Sequence, residues 1–273
     1  MELEMKGTQE VLYAINAIYL TLGMLACMAL AILLGAVAGS NRAERTSPEG
    51  KAQISALQAS LLGMLALLLG FSLSLALGRY DSRSAAVSTE ANAIGTAWLR
   101  TDLLPEPGRS AVRSALAEYV AIRAQTGSVT LIEVTTLAEK REEADAAFAR
   151  IWEIASDIAR AEPNPATVAM TNALNDMIDA FGTRDAELDR HVPEPVLYLL
   201  FLTLIFLGWL LGFAPRVAGE QPSLTVVAMI VLIVSLLFVI IDLDRPRRGI
   251  IEVDQTPMRA LAASISAEME RAE

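Results

Sequence analysis

A single cysteine, Cys27, and a single histidine, His191, stand in a chain of 273 residues. One cysteine excludes an internal disulfide and any cysteine-cluster metal site. One histidine leaves too few imidazoles for the common zinc sites or for a Ser–His–Asp arrangement. Charge is scarce as well: Asp, Glu, Lys and Arg make up 20% of the residues, against about 25% in soluble domains. Bases are in the minority, 22 against 32 acids, for a net charge of −10. That balance argues against nucleic acid as a main partner, because phosphate binding needs surplus Lys and Arg. Apolar residues are what the chain has in excess, at 53%. Composition therefore points to an integral membrane protein with no metal and no cofactor.

Four intervals hold no charged residue at all: 11–41, 52–78, 195–215 and 221–241, of 31, 27, 21 and 21 residues. A helix needs about 20 apolar residues to cross a bilayer, so each interval accommodates one span. The spans are expected at about 11–38, 54–78, 195–214 and 223–241. The first is not a cleaved leader: Met1-Glu2-Leu3-Glu4 offers no basic start, and the run is about twice the usual ~7–15 apolar residues. The expected organisation is a transmembrane hairpin over 1–78, a polar domain over 79–194, a second hairpin over 195–241 and a tail over 242–273.

The polar domain has 12 Lys and Arg against 19 Asp and Glu, a net of −7. From 79 to 103 there is one glycine and no proline, so the second span is expected to continue as a helix beyond the membrane. Pro105 and Pro107 break it. Ala111, Leu116, Tyr119, Val120 and Arg123 recur at helical spacing over 110–124, and Gly127 stops that run. Helical patterns return over 131–161 and, after Pro163 and Pro165, over 166–188. Trp98, Tyr119, Phe148 and Trp152 are its candidate core aromatics. The fold class read from this is all-α, with four transmembrane helices and a helical domain inserted between the second and third. Basic residues near the span ends number seven on the side of the termini and insert, against four on the other. The positive-inside rule then places both termini and the insert in the cytoplasm.

No span holds an ionisable side chain in its interior. Proton-coupled transport needs such groups, and an intramembrane hydrolase needs a base beside its nucleophile, so neither activity nor any other enzyme is expected. A pore of apolar and small polar side chains remains open. In the second span Ser60, Met64, Leu67, Phe71, Ser74, Leu75 and Gly78 share one helix face, beside Ala59, Gly63, Ala66 and Gly70. One reading makes Leu67, Phe71 and Leu75 a pore constriction; the other makes both faces ordinary helix packing. Gly208 and Gly212 in the third span form a close-packing motif. Glu90 and Asn92 are polar residues in an alanine-rich helix, suited to bonds between helices. Asp242, Asp244 and Arg245 follow the fourth span; two carboxylates are too few for the ~6–8 oxygens of a calcium site, and pairing with arginines such as Arg79, Arg83 or Arg245 is expected instead.

Gly70-Phe71 with Arg79-Tyr80, Glu90-Ala91-Asn92-Ala93-Ile94-Gly95-Thr96-Ala97, and Asp242-Leu243-Asp244-Arg245-Pro246 with Gly249 together resemble the bestrophin-like family of bacterial membrane proteins. Leu103-Leu104-Pro105 and His191-Val192-Pro193 add to the likeness, which spans about 55–257. Bestrophins proper are pentameric, mostly anion-conducting channels whose second helix lines the pore with apolar rings. The resemblance implies a bacterial inner-membrane homo-oligomer, pentameric if bestrophin-like, conducting small anions such as chloride past Leu67, Phe71 and Leu75, with membrane lipid around it. The acidic calcium clasp of animal bestrophins has no counterpart here beyond Asp242 and Asp244. A non-conducting scaffold or signalling protein with a partner-binding helical domain is the alternative reading. A third is a stator-type channel subunit, which would need a partner to supply the membrane carboxylate that this chain lacks.

Overall fold

In a computed structural model of the chain, residues 15–126, 134–220, 224–245 and 250–272 are described. Lys6, Gly127, Arg247, Arg248 and the expected start of the first span at 11–14 lie outside them. The described residues form eight α-helices and no strand. They are α1 Ala17–Ser40, α2 Pro48–Arg100, α3 Gly108–Thr126, α4 Val134–Ala161, α5 Pro165–Asp189, α6 Glu194–Ala218, α7 Leu224–Leu243 and α8 Thr256–Ala272. Four of these helices, α1, α2, α6 and α7, contain stretches long and apolar enough to cross a membrane. The chain is an all-α membrane protein.

Local chemistry sets the helix ends. Asn16 caps α1 by accepting from Ile18 N–H at 2.9 Å. Asn164 caps α5 by accepting from Ala166 and Thr167 N–H at 2.9 and 3.0 Å, and Thr167 returns the bond, in a reciprocal cap before Pro165. α6 closes on Gly219, whose φ of 91° suits glycine alone. α2 continues unbroken for 53 residues, about 80 Å, as its single late glycine and missing proline imply.

The chain divides into two compact units: residues 1–79 with 191–251, and residues 80–190 with 252–273. In the first, α1 packs along α6 through glycines on both sides. A methyl on Gly35 would overlap the Trp209 carbonyl, one on Gly212 the Ile32 carbonyl, and one on Gly208 would sit 3.2 Å from the Met28 carbonyl. Gly208 and Gly212 are thus packing residues, and Gly35 and Gly39 are their counterparts on α1. Gly212→Ala is expected to lower stability by about 1–3 kcal/mol through overpacking. Gly63→Ala, where an added Cβ meets nothing within 4 Å, is expected to leave the unfolding temperature in detergent unchanged.

The second unit has its own core. Ile94 and Trp98 of α2, Leu116 and Tyr119 of α3, Ile151 of α4, and Leu174 and Met177 of α5 are buried together with Met258 and Ile265 of α8. The segment expected as a tail from 242 onward is therefore in large part a core helix. Its Met258, Leu261, Ala262, Ile265 and Met269 repeat at three- and four-residue intervals, and that face is what α8 buries. Glu268 of α8 locks it further, accepting from Trp98 Nε1 at 2.9 Å and from Arg113 Nη2 at 3.3 Å. Of the expected core aromatics, Trp152 is a correction: it is 38% exposed and lies at the rim of this core, stacked on Phe148 at 6.5 Å.

Candidate functional site

Within the first unit, α2 buries Leu65, Leu69, Ser72 and Ala76 and leaves its opposite face uncovered. Leu67 is 64% exposed, Phe71 67% and Leu75 44%. They follow at four-residue steps, about 6 Å apart along the helix. Ser74 is exposed on the same face, and Gly63, Gly70 and Gly78 have open space where a side chain would stand. Among the described residues of this unit, the small face of α2 therefore has no packing partner at these glycines. Ser60 and Met64, earlier on the same face, are exposed as well and border a groove with Phe206, Trp209, Leu210 and Phe213 of α6.

The second unit holds a buried charge cluster. Glu90 on α2 has no solvent exposure and accepts from two arginines. Arg123 of α3 reaches it through Nε at 2.6 Å and Nη2 at 3.0 Å; Arg184 of α5 reaches it through Nη1 at 2.6 Å. Arg184 also donates to Gln255 Oε1 at 2.8 Å, and the Arg123 guanidinium sits 4.6 Å from the centre of the Phe181 ring. Burial alone would push the Glu90 carboxyl up; the bonds and charges of Arg123 and Arg184 outweigh it and hold the carboxyl below its ordinary range. Glu90 joins three helices and the segment leading into α8. Asn92, two residues on and so on the opposite side of the helix, is exposed.

The polar residues at the end of α7 and just after it bind backbone. Asp242 accepts from Ile250 N–H at 2.9 Å and Ile251 N–H at 2.8 Å. Asp244 accepts from Val192 N–H at 2.8 Å, at the start of α6, and its own carbonyl lies 3.0 Å from His191 Nδ1. Arg245 donates to the Ile15 carbonyl at the foot of α1. Asp242, Asp244 and Arg245 thus tie the ends of α1, α6 and α7 and the returning chain together. No group of three or more metal-ligating side chains occurs among the described residues.

Glu90 was visible in the sequence as a polar residue out of place. Its partners were not: Arg123 and Arg184 are 33 and 94 residues away. A signal existed, because both arginines continue apolar helix faces, Arg123 after Leu116, Tyr119 and Val120, and Arg184 after Leu174, Met177 and Phe181.

A family model for the Bestrophin-like domain matches residues 23–258. No curated protein matches the sequence. Solved structures of variants of a bacterial bestrophin homologue from Klebsiella pneumoniae are similar in fold. One, at 16% identity, covers 93% of this chain and 96% of its own with a TM-score of 0.66. Another, at 17% identity, covers 91% and 97% with a TM-score of 0.65.

Proposed function

The chain belongs to the Bestrophin-like family, and on that premise we propose that it is a homo-oligomeric channel for passive conduction of small anions, its pore lined by α2. The observation that carries this reading is the uncovered stripe of Leu67, Phe71 and Leu75 beside Gly63, Gly70 and Gly78. Four spans enclose no pore alone, so the conducting path lies on the symmetry axis of the assembly, with five copies if it follows the bestrophins. Successive rings of Leu67, Phe71 and Leu75 form an apolar constriction that closes by dewetting and opens when α2 turns slightly.

Two features bear on the ion. The spans carry no fixed charge to hold a permeating ion. The second unit is acidic and on its own would gather cations, but the exposed face of α2 there presents Asp81, Ser82, Ala85, Thr89, Asn92 and Thr96, a single carboxylate among small and uncharged polar side chains. Their hydroxyl and amide groups can donate to an anion without trapping it. Both termini and the second unit are assigned to the cytoplasmic side of a bacterial inner membrane.

Halide efflux from vesicles containing the purified protein, with potassium efflux measured in parallel, tests the reading. Halide efflux well above that of empty vesicles, with little potassium efflux, is the expected result. Potassium efflux instead would keep the channel and overturn the anion assignment. Silence towards both ions, from folded oligomeric protein, would favour a non-conducting scaffold.

A further inference from the structure

We infer that the groove between α2 and α6 in the first unit holds an acyl chain of an anionic phospholipid, with its phosphate at Lys51 and Arg216. The groove has a volume of about 410 Å³ and is walled by Leu57, Leu61 and Met64 on one side and by Trp209, Leu210 and Phe213 on the other. Trp209 stacks between Phe206 and Phe213, at 5.9 and 4.7 Å, which gives the α6 side a flat aromatic wall. From Ile54 to Met64 the helix rises about 15 Å, which is half of the roughly 30 Å hydrocarbon core and so the depth of one leaflet.

The mouth of the groove has the matching charge. Ile54 and Leu61 pack against Leu210, Phe213 and Val217, so the ends of α2 and α6 that carry Lys51 and Arg216 coincide. Lys51 lies one turn before Ile54, and Arg216 one turn beyond Phe213. Both are half-buried, and neither side chain makes an ion pair or hydrogen bond among the described residues. Glu44, Glu49 and Glu220 belong to the same end and pair with neither. An unpaired basic head at the water boundary, with its apolar stem against an acyl-sized groove, suits a lipid phosphate. A zwitterionic lipid would answer the groove and leave the excess positive charge unmatched.

The inference does not depend on conduction, and its test reads lipid rather than flux. Protein reconstituted in vesicles of equal phosphatidylglycerol and phosphatidylcholine is re-extracted in mild detergent, and the co-purifying lipids are quantified. Wild type is expected to retain phosphatidylglycerol several-fold over phosphatidylcholine. The double variant Lys51→Gln/Arg216→Gln is expected to lose that preference at unchanged unfolding temperature, and Ser60→Trp, which fills the groove, to lose both lipids while remaining oligomeric. Equal retention of the two lipids by wild type, or a preference that survives the double variant, overturns the inference. Ser60→Trp breaking the oligomer would also overturn it, by assigning the groove to a neighbouring copy.

Discussion

Replacing Phe71 with alanine is expected to raise halide flux through reconstituted protein by about tenfold or more. The ring is 67% exposed in the single chain, so truncating it removes little packing within the subunit and should leave the fold intact. In a symmetric assembly each copy contributes one such ring to the same level of the pore. An apolar constriction excludes an ion because water cannot follow it through, and widening that level lowers the barrier. A barrier change of about 1.4 kcal/mol already gives a factor of ten. Leu67→Ala and Leu75→Ala are expected to act in the same direction with smaller effects, because less side chain is removed. Leu232 of α7, 71% exposed, supplies the control: it lies on a different span from the proposed pore helix, and its truncation should leave flux unchanged. A scaffold protein would show no difference among the four variants.

Replacing Glu90 with alanine is expected to be the most destabilising single change in the second unit. It would leave Arg123 and Arg184, each with a side chain 7% exposed, facing one another without a counter-charge. Removing one member of a buried ion pair costs about 3–5 kcal/mol, a large share of the ~5–15 kcal/mol that holds a typical domain together. Glu90→Gln keeps an acceptor and should lose less. Glu118→Ala provides the contrast, since the Glu118–Arg150 pair is about half-exposed on both sides and such pairs contribute about 0–1 kcal/mol. Thermal unfolding of the three variants should rank them in that order. The pH dependence has a definite sign. The Glu90 carboxyl is held below its ordinary value of 4.5, so its stabilising contribution is complete at neutral pH and is lost only as pH falls below that range. Glu90→Gln should remove that part of the acid sensitivity.

The membrane half of this architecture was legible because charge-free runs have one dominant explanation at 20 residues or more. The continuation of α2 past residue 78 was legible for the same kind of reason: nothing in 79–100 breaks a helix. Gly208 and Gly212 announced a close contact, yet a small-residue pair marks its own helix face and not the helix it meets. Gly35 and Gly39 therefore emerged only with the fold. α8 was missed because 242–273 was read by its charges, although its apolar face repeats at helical spacing from Met258 to Met269. Asp242 and Asp244 accept from the backbone N–H groups of Ile250, Ile251 and Val192, and backbone N–H groups, which every residue carries, are partners that no sequence pattern can single out. The exposure of Phe71 lies between these cases. Its helix face was readable from spacing, but whether the chain itself covers that face depends on where α1, α6 and α7 pack.

The central claim is that Phe71 borders the path of the ion, and the lone cysteine makes it directly testable. With Cys27 replaced by serine, Phe71→Cys places the chain's sole thiol on the proposed axis. Halide flux through that variant is measured before and after a charged, membrane-impermeant thiol reagent, with the extent of labelling determined on the same sample. The account predicts that labelling blocks the flux, while the same reagent leaves Leu232→Cys conducting. Full labelling at residue 71 with flux unchanged would place Phe71 away from the pore and contradict the account.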